Sequence, residues 1–289
     1  MRSKLFVPAS RPELFEKALR SDADAVCFDL EDAVLEHRKA YARHELAQFL
    51  GRDAFHALRQ EYRKSIIVRV NPLDTAHFEQ DLQAACLPGV QIINIPKTDS
   101  ARDVLRFIEL LQAQEKTASE RAGVPVECQV LANIETPQAL LNAADIARAH
   151  GKVWGLQLGL GDLFEPLAIA RDEPDNVHAV MLSLRIAAGA GGRIAYDSAY
   201  TNVADAEGYR KEAWRARQTG FLGKTCIHPS QVAIANEVFS PTEAEVRWAE
   251  KVLASAQQNE VNGAHMLEGK MIDAPFIERA RSILAQVSG

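Results

Sequence analysis

The chain has 289 residues, 47% of them hydrophobic, and a formal net charge of -6. That is enough to bury one large α/β core or two small ones. The mildly acidic balance, with no Lys/Arg cluster to neutralise phosphates, argues against a nucleic-acid partner, and no apolar run reaches the ~20 residues that cross a bilayer.

Short apolar runs alternate with longer amphipathic stretches. Strand candidates fall at residues 5–9, 25–30, 66–70, 91–95, 127–134, 153–160, 193–196 and 224–227. Several are near-continuous Val/Ile/Leu, as expected of parallel strands buried on both faces. Helical patterns lie between most of them. Residues 12–19 and 137–148 each begin with Pro, a good first-turn residue, and 101–114 and 177–188 carry apolar side chains at helical spacing. This run of β-α repeats predicts a (β/α)8 TIM barrel, which needs about 250 residues. An open doubly wound sheet would show a Gly-rich turn after the first strand, and Val7-Pro8-Ala9-Ser10 is not one. Beyond Phe239-Ser240-Pro241, residues 242–257 read as a helix, 262–269 as a turn with two glycines, and 274–287 as a final helix. The expected organisation is a catalytic barrel over 1–239 and a helical lid and oligomerisation segment over 240–289. Cys27, Cys86, Cys128 and Cys226 form no CxxC pair, and three of them lie in apolar runs. They suit a reducing cytoplasm, as does an N-terminus without the apolar stretch of a signal peptide.

Polar side chains gather where the apolar runs end: Asp29, Glu31, Asp32, Arg69, Asn71, Lys97, Glu135, Asp162, Asp197 and His228. In a (β/α)8 barrel these positions ring the mouth that carries the active site. Glu135 and Asp162 follow adjacent strands and can share one divalent ion, leaving room for water and substrate, an arrangement that suits Mg2+. A salt-bridged Glu and a helix-capping Asp fit the same spacing. Arg69 can grip a carboxylate or steady an enolate, or it can simply pair with Glu31 or Asp32. Gly159 and Gly161 allow close backbone approach to a ligand. Arg11 and Lys17 flank the first loop and helix, where they can meet coenzyme phosphates or serve as solvated surface charges. His228 is a base or a structural histidine. No GxSxG, HExxH, Walker A or GxGxxG motif is present.

The ordered set of motifs resembles the citrate lyase beta-subunit-like branch of the HpcH/HpaI aldolase superfamily over nearly the whole chain. Its signposts are Arg2-Ser3-Lys4-Leu5-Phe6-Val7-Pro8, Asp29-Leu30-Glu31-Asp32, the Lys39 to Arg43 stretch and Val68-Arg69-Val70-Asn71. Pro96-Lys97, Ile134-Glu135-Thr136, Gly159-Leu160-Gly161-Asp162-Leu163, Gly220-Phe221-Leu222-Gly223-Lys224 with Ile227-His228-Pro229-Ser230-Gln231, and Met271-Ile272-Asp273 complete them. The resemblance implies Glu135 and Asp162 as ligands of Mg2+, with Mn2+ as a substitute, and Arg69 and Asp273 as catalytic groups. It implies substrate contacts from Phe6, Arg11, Lys17, Gly161 and Ile227, with Asp29, Glu31, Asp32 and Lys97 behind the metal. Ala9 stands where many relatives have Gly, and residues 164–192 match poorly. The implied activity is carbon–carbon cleavage of a short 3-hydroxy acyl-coenzyme A, such as a malyl, citramalyl or citryl thioester, into a 2-keto acid and an acyl-coenzyme A. The alternatives are hydrolysis of the thioester or malate-synthase-like chemistry on the same scaffold, a non-catalytic thioester-binding protein, and a lysine-dependent aldolase working through Lys97. In relatives the lid covers a neighbouring subunit, so a homo-oligomer, a trimer or a multiple of one, is expected.

Overall fold

The computed structural model describes residues 1–258 and 264–287. The chain divides into two compact units between Phe239 and Ser240. The first unit contains β1 (Ser3–Pro8), β2 (Ala25–Asp29), β3 (Ser65–Arg69), β4 (Ile92–Ile95), β5 (Gln129–Ile134), β6 (Val153–Leu158), β7 (Ile194–Tyr196) and β8 (Lys224–Cys226). All pair in parallel, in the order β7-β6-β5-β4-β3-β2-β1-β8. The two ends of this order meet through a parallel bridge between Asp197 and Lys224. Backbone bonds from Leu222 N to Ala195 O (2.9 Å) and from Asp197 N to Gly223 O (3.0 Å) flank it. The expected (β/α)8 barrel therefore forms.

Alternation along the strands divides the apolar residues into two layers. Outward residues such as Leu5, Val7, Ile66 and Val68 join a large cluster with the surrounding helices. Inward residues Ala25, Cys27, Ile67, Ile92, Leu131 and Tyr196 fill the barrel itself. Burial on both faces is why these strands read as unbroken apolar runs. All four cysteines are free and buried.

Local chemistry fixes the helix ends. Ala101–Ala122 starts at Ser100, whose side chain accepts from Asp103 N, and stops at Gly123 with φ 67°. It outruns the expected end because no breaker precedes Gly123. The stretch 137–148 is two helices rather than one, Pro137–Leu141 and Ala143–Arg148, split at Asn142. Asn142 Nδ2 donates to Asp99 O at 2.7 Å, so the side chain is drawn away from the helix axis.

The second unit holds helices Glu243–Gln258 and Ala274–Val287 joined by a hairpin, packed on Ala249, Val252, Ile272, Ala280 and Ile283. Its first helix opens with a reciprocal cap. Thr242 Oγ1 accepts from Glu245 N (3.2 Å), and Glu245 Oε2 accepts from Thr242 N (2.8 Å). Of the turn expected over 262–269, residues 262 and 263 lie outside the described residues. The rest corrects that expectation: His265–Leu267 and Lys270–Ile272 pair antiparallel. Glu268 (φ 50°) and Gly269 (φ 78°) supply the two left-handed residues of a tight hairpin loop. No described helix is long and apolar enough to cross a membrane.

Candidate active site

The site begins with the pairing of β2 and β3, whose register sets Asp29 beside Arg69. Arg69 Nε and Nη2 each donate to one Asp29 oxygen at 2.7 Å. Nη1 lies 2.8 Å from Glu31 Oε2 and 3.5 Å from Asp32 Oδ2. The guanidinium also stacks over the Phe6 ring at 4.8 Å. Burial alone would raise the Asp29 carboxyl. The Arg69 charge and hydrogen bonds, with the N–H groups of Glu31 and Ala33, outweigh it and hold the group below the usual carboxylate range. Asp29 and Arg69 thus form one rigid unit. The sequence left Arg69 open between ligand contact and ion pairing; it makes the ion pairs and still lines the cavity at the mouth.

The neighbouring acids lack such compensation. Neither oxygen of the buried Glu31 receives a well-directed hydrogen bond, despite the short approach of Arg69. Burial pushes its carboxyl up to about 8; Arg69 opposes this, while Asp32, Glu135 and Asp29 add to it. Glu135, at the end of β5, is buried as well, and its carboxyl is pushed up to about 7. Burial is the main cause, the Lys97 N–H opposes it, and the charge of Asp162 adds to it. Lys97 N donates to Glu135 Oε1 (2.7 Å) and Asn133 Nδ2 to Oε2 (3.1 Å). Lys97 does this from a left-handed backbone, φ 48°, a strained state for a side chain with Cβ. A Cβ at Gly159 would sit 2.5 Å from Glu135 Cβ and 2.7 Å from its Oε2, so only glycine fits beside this carboxylate. β6 stops at Leu158 rather than at residue 160, because Gly159 caps the short helix Leu160–Phe164. That early turn places Asp162 in the first helical turn, exposed to solvent, with Gly161 beside it. Arg69, Glu135, Gly161 and Asp162 line one cavity of about 450 Å3, together with Phe6 and Ile227.

This acid cluster fits a divalent cation. Buried carboxylates that repel one another gain most from a positive ion between them. Among the described residues no three His, Cys, Asp or Glu side chains form a cage. Two carboxylates with the remaining positions left to water and substrate oxygens is the usual pattern for Mg2+.

The acidic loop is pinned from behind by residues quoted in the sequence motif but given no role there. Lys39 Nζ donates to Leu30 O (3.1 Å), Glu31 O (3.1 Å) and Asn71 Oδ1 (2.7 Å), which uses all three of its hydrogens. Asn71 is held in turn by Asp81, and Asp81 by Arg43 (3.0 Å). Lys39 and Arg43 stand four residues apart on one helix face, and that spacing was the available signal.

The remaining sequence candidates fall in several places. Arg11 is exposed and paired with Glu13 at 2.9 Å; Lys17 is exposed on its helix. Lys97 Nζ is half-exposed, 3.8 Å from Glu31. His228 is exposed and bonded to Ser230, the structural alternative. Asp197 belongs to the barrel seam, where Lys224 Nζ lies 2.6 Å from both Asp197 and Glu212. Asp273 lies in the second unit, ahead of helix Ala274–Val287. Its backbone carbonyl accepts from Phe276 N and Ile277 N, while its Oδ1 is sealed without a partner. Arg171 lines the cavity with Nη2 on Glu212 (3.1 Å). It lies in a stretch with no readable motif and was missed.

Arg69→Lys should lose most activity although the charge is kept, because an ammonium cannot span both Asp29 oxygens and stack on Phe6. Folding should weaken too, since Asp29 is left half-paired in the core. A variant with wild-type kcat/KM would show that Arg69 serves the fold alone.

The family model described as HpcH/HpaI aldolase/citrate lyase matches residues 2–229. The citrate lyase subunit beta of Haemophilus influenzae is 37% identical, covering 98% of this chain and 95% of its own. A (3S)-malyl-CoA thioesterase of Cereibacter sphaeroides is also 37% identical, covering 99% and 94%. Among solved structures, protein CitE from Mycobacterium tuberculosis, in complex with magnesium, acetoacetate and coenzyme A, is 32% identical. It superposes with a TM-score of 0.74, and each chain is fully covered.

Proposed function

The chain belongs to the HpcH/HpaI aldolase/citrate lyase family, and from that premise we propose that it is a Mg2+-dependent carbon–carbon lyase. Its substrate class is a short 3-hydroxy acyl-coenzyme A, cleaved to a 2-keto acid and an acyl-coenzyme A. The observation that carries this reading is Glu135, buried at the end of β5 with its carboxyl pushed up to about 7, sharing one cavity with Asp162 in the first helical turn after β6, with glycine alone allowed beside Glu135. CitE of Mycobacterium tuberculosis, bound to magnesium, acetoacetate and coenzyme A, supports the cofactor and the ligand class.

Glu135 and Asp162 would hold the ion, which would supply Lewis-acid charge that lowers the cost of negative charge on the oxygens of the acid fragment. The Lys97 N–H and Asn133 fix Glu135 in place. Glu31 and Asp32, on the loop pinned by Lys39, would stand behind the ion's two ligands and add negative charge there. The hydroxyl gives up its proton to water and becomes the keto group as the bond between the two fragments breaks, and the electrons of that bond remain on the thioester fragment as an enolate. Arg69, held flat between Asp29 and Phe6, offers fixed positive charge to that oxyanion without reorganising. Asp273, on the segment expected to close over a neighbouring subunit, supplies the proton to the enolate carbon there, or removes one in the condensing direction. Arg11 and Lys17 meet the coenzyme phosphates, and Ile227 gives an apolar wall. The protein works in the cytoplasm as a homo-oligomer, a trimer or a multiple of one.

No Schiff base enters this scheme. Borohydride added with substrate should leave Lys97 unmodified, and EDTA should stop turnover. Trapping at Lys97 with activity retained in EDTA would establish the lysine aldolase instead. The 37% identity to a (3S)-malyl-CoA thioesterase supports hydrolysis as the second reading.

A further inference from the structure

On β1, Leu5 and Val7 face the helices, so Lys4 and Phe6 face the barrel interior. Lys4 has no exposed surface. Its ammonium lies near the Phe6 ring (4.7 Å) and the Tyr196 ring (5.2 Å) and donates to Gln157 Oε1 on β6. Burial pulls it down to about 8, so at neutral pH it is chiefly the ammonium. An amide side chain offers both a donor and an acceptor, but an ammonium can only donate. Lys4 therefore decides which way Gln157 points, with oxygen toward the ammonium and NH2 away from it. Gln157 lines the same cavity as Glu135 and Asp162 and makes no other side-chain hydrogen bond among the described residues. A cation behind the amide oxygen further polarises the N–H groups on the cavity side. Arg69, by contrast, is already engaged by Asp29, Glu31 and Asp32.

We infer that Gln157, oriented by Lys4, is a specificity-determining residue that donates to a second carboxylate on the acid fragment, so that the site prefers dicarboxylic acids to monocarboxylic ones. Gln157 touches the ligand; Lys4 is a positioning residue that acts through it. The inference rests on the lyase reading, which makes this cavity the seat of the acid fragment. A pair that merely fills the barrel interior would stabilise the fold and leave ligand choice unchanged.

The test is calorimetric binding of L-malate and L-lactate, which differ by one carboxylate, to the full chain with Mg2+. Wild type should bind malate at least about tenfold more tightly, the size of one hydrogen bond to a charged group. Gln157→Leu should weaken malate, spare lactate and bring the ratio near one. Lys4→Met should do the same without touching either acid, because the amide is then free to flip. Replacing a buried charge by an apolar side chain of similar volume is usually tolerated by a fold; if that variant does not fold, Gln157→Leu decides. Gln157→Glu, paired with Lys4, should repel the extra carboxylate and reverse the preference. An unchanged ratio in folded Gln157→Leu, or a wild-type ratio near one, overturns the inference while Mg2+-dependent binding keeps the lyase reading standing. Failure of both acids to bind, or binding indifferent to Mg2+, overturns the lyase reading and this inference with it.

Discussion

Asp162→Asn and Glu135→Gln should each lower Mg2+-dependent turnover by about 10²- to 10³-fold, the rate equivalent of several kcal/mol of charge stabilisation, while the barrel stays folded. Asp162 is the cleaner case. It is exposed in the first turn of its helix, and its side chain makes no hydrogen bond among the described residues. Glu135 is buried and accepts from Lys97 N and Asn133 Nδ2. A glutamine there keeps one acceptor and turns an NH2 toward the other donor, which costs about 1–3 kcal/mol. Part of that is returned, because the amide carries no charge to desolvate in a place where burial already pushes the acid up to about 7. Thermal melts should therefore show little change for Asp162→Asn and a modest shift for Glu135→Gln, with Mg2+ affinity reduced in both. Wild-type rates in EDTA for either variant would remove the metal site from the account.

Asp273→Ala is the second large effect, a fall of about 10²–10⁴ in kcat. Its bland explanation is a helix cap, whose loss would cost about 1 kcal/mol of stability and little rate. The geometry weighs against that. The hydrogen bonds at this helix start run to the Asp273 backbone carbonyl, which alanine retains, and Oδ1 is sealed with no partner. The melting temperature should barely move while turnover collapses. A fully active alanine variant would leave Asp273 without a catalytic role, and a large stability loss with a normal rate would make it structural.

The barrel was legible because its evidence is local. Burial on both faces turns each strand into an apolar run, and Gly and Pro punctuate what lies between. The candidate site was legible to the extent that strand ends mark a mouth. Boundaries slipped where one residue changed the outcome, as at Gly159, which ends β6 and starts the helix bearing Asp162. The hairpin of the second unit hides behind two left-handed residues, one of them Glu268, whose side chain gives no hint of that conformation. Partnerships across long sequence distances could not be read at all. Lys39 and Asn71 lie 32 residues apart, and Lys4 and Gln157 lie 153 apart. Each is an ordinary polar residue until the barrel closes and brings its partner to it.

The most direct test of the central claim is the product made from citryl-coenzyme A, with keto acid and free thiol measured in the same reaction. Cleavage between carbons yields oxaloacetate and acetyl-coenzyme A and releases no thiol; hydrolysis yields citrate and free coenzyme A. Oxaloacetate formation should require Mg2+, stop with EDTA and fall with Asp162→Asn, with no matching release of thiol. Thiol released without oxaloacetate, or oxaloacetate formed equally well in EDTA, would contradict a Mg2+-dependent lyase.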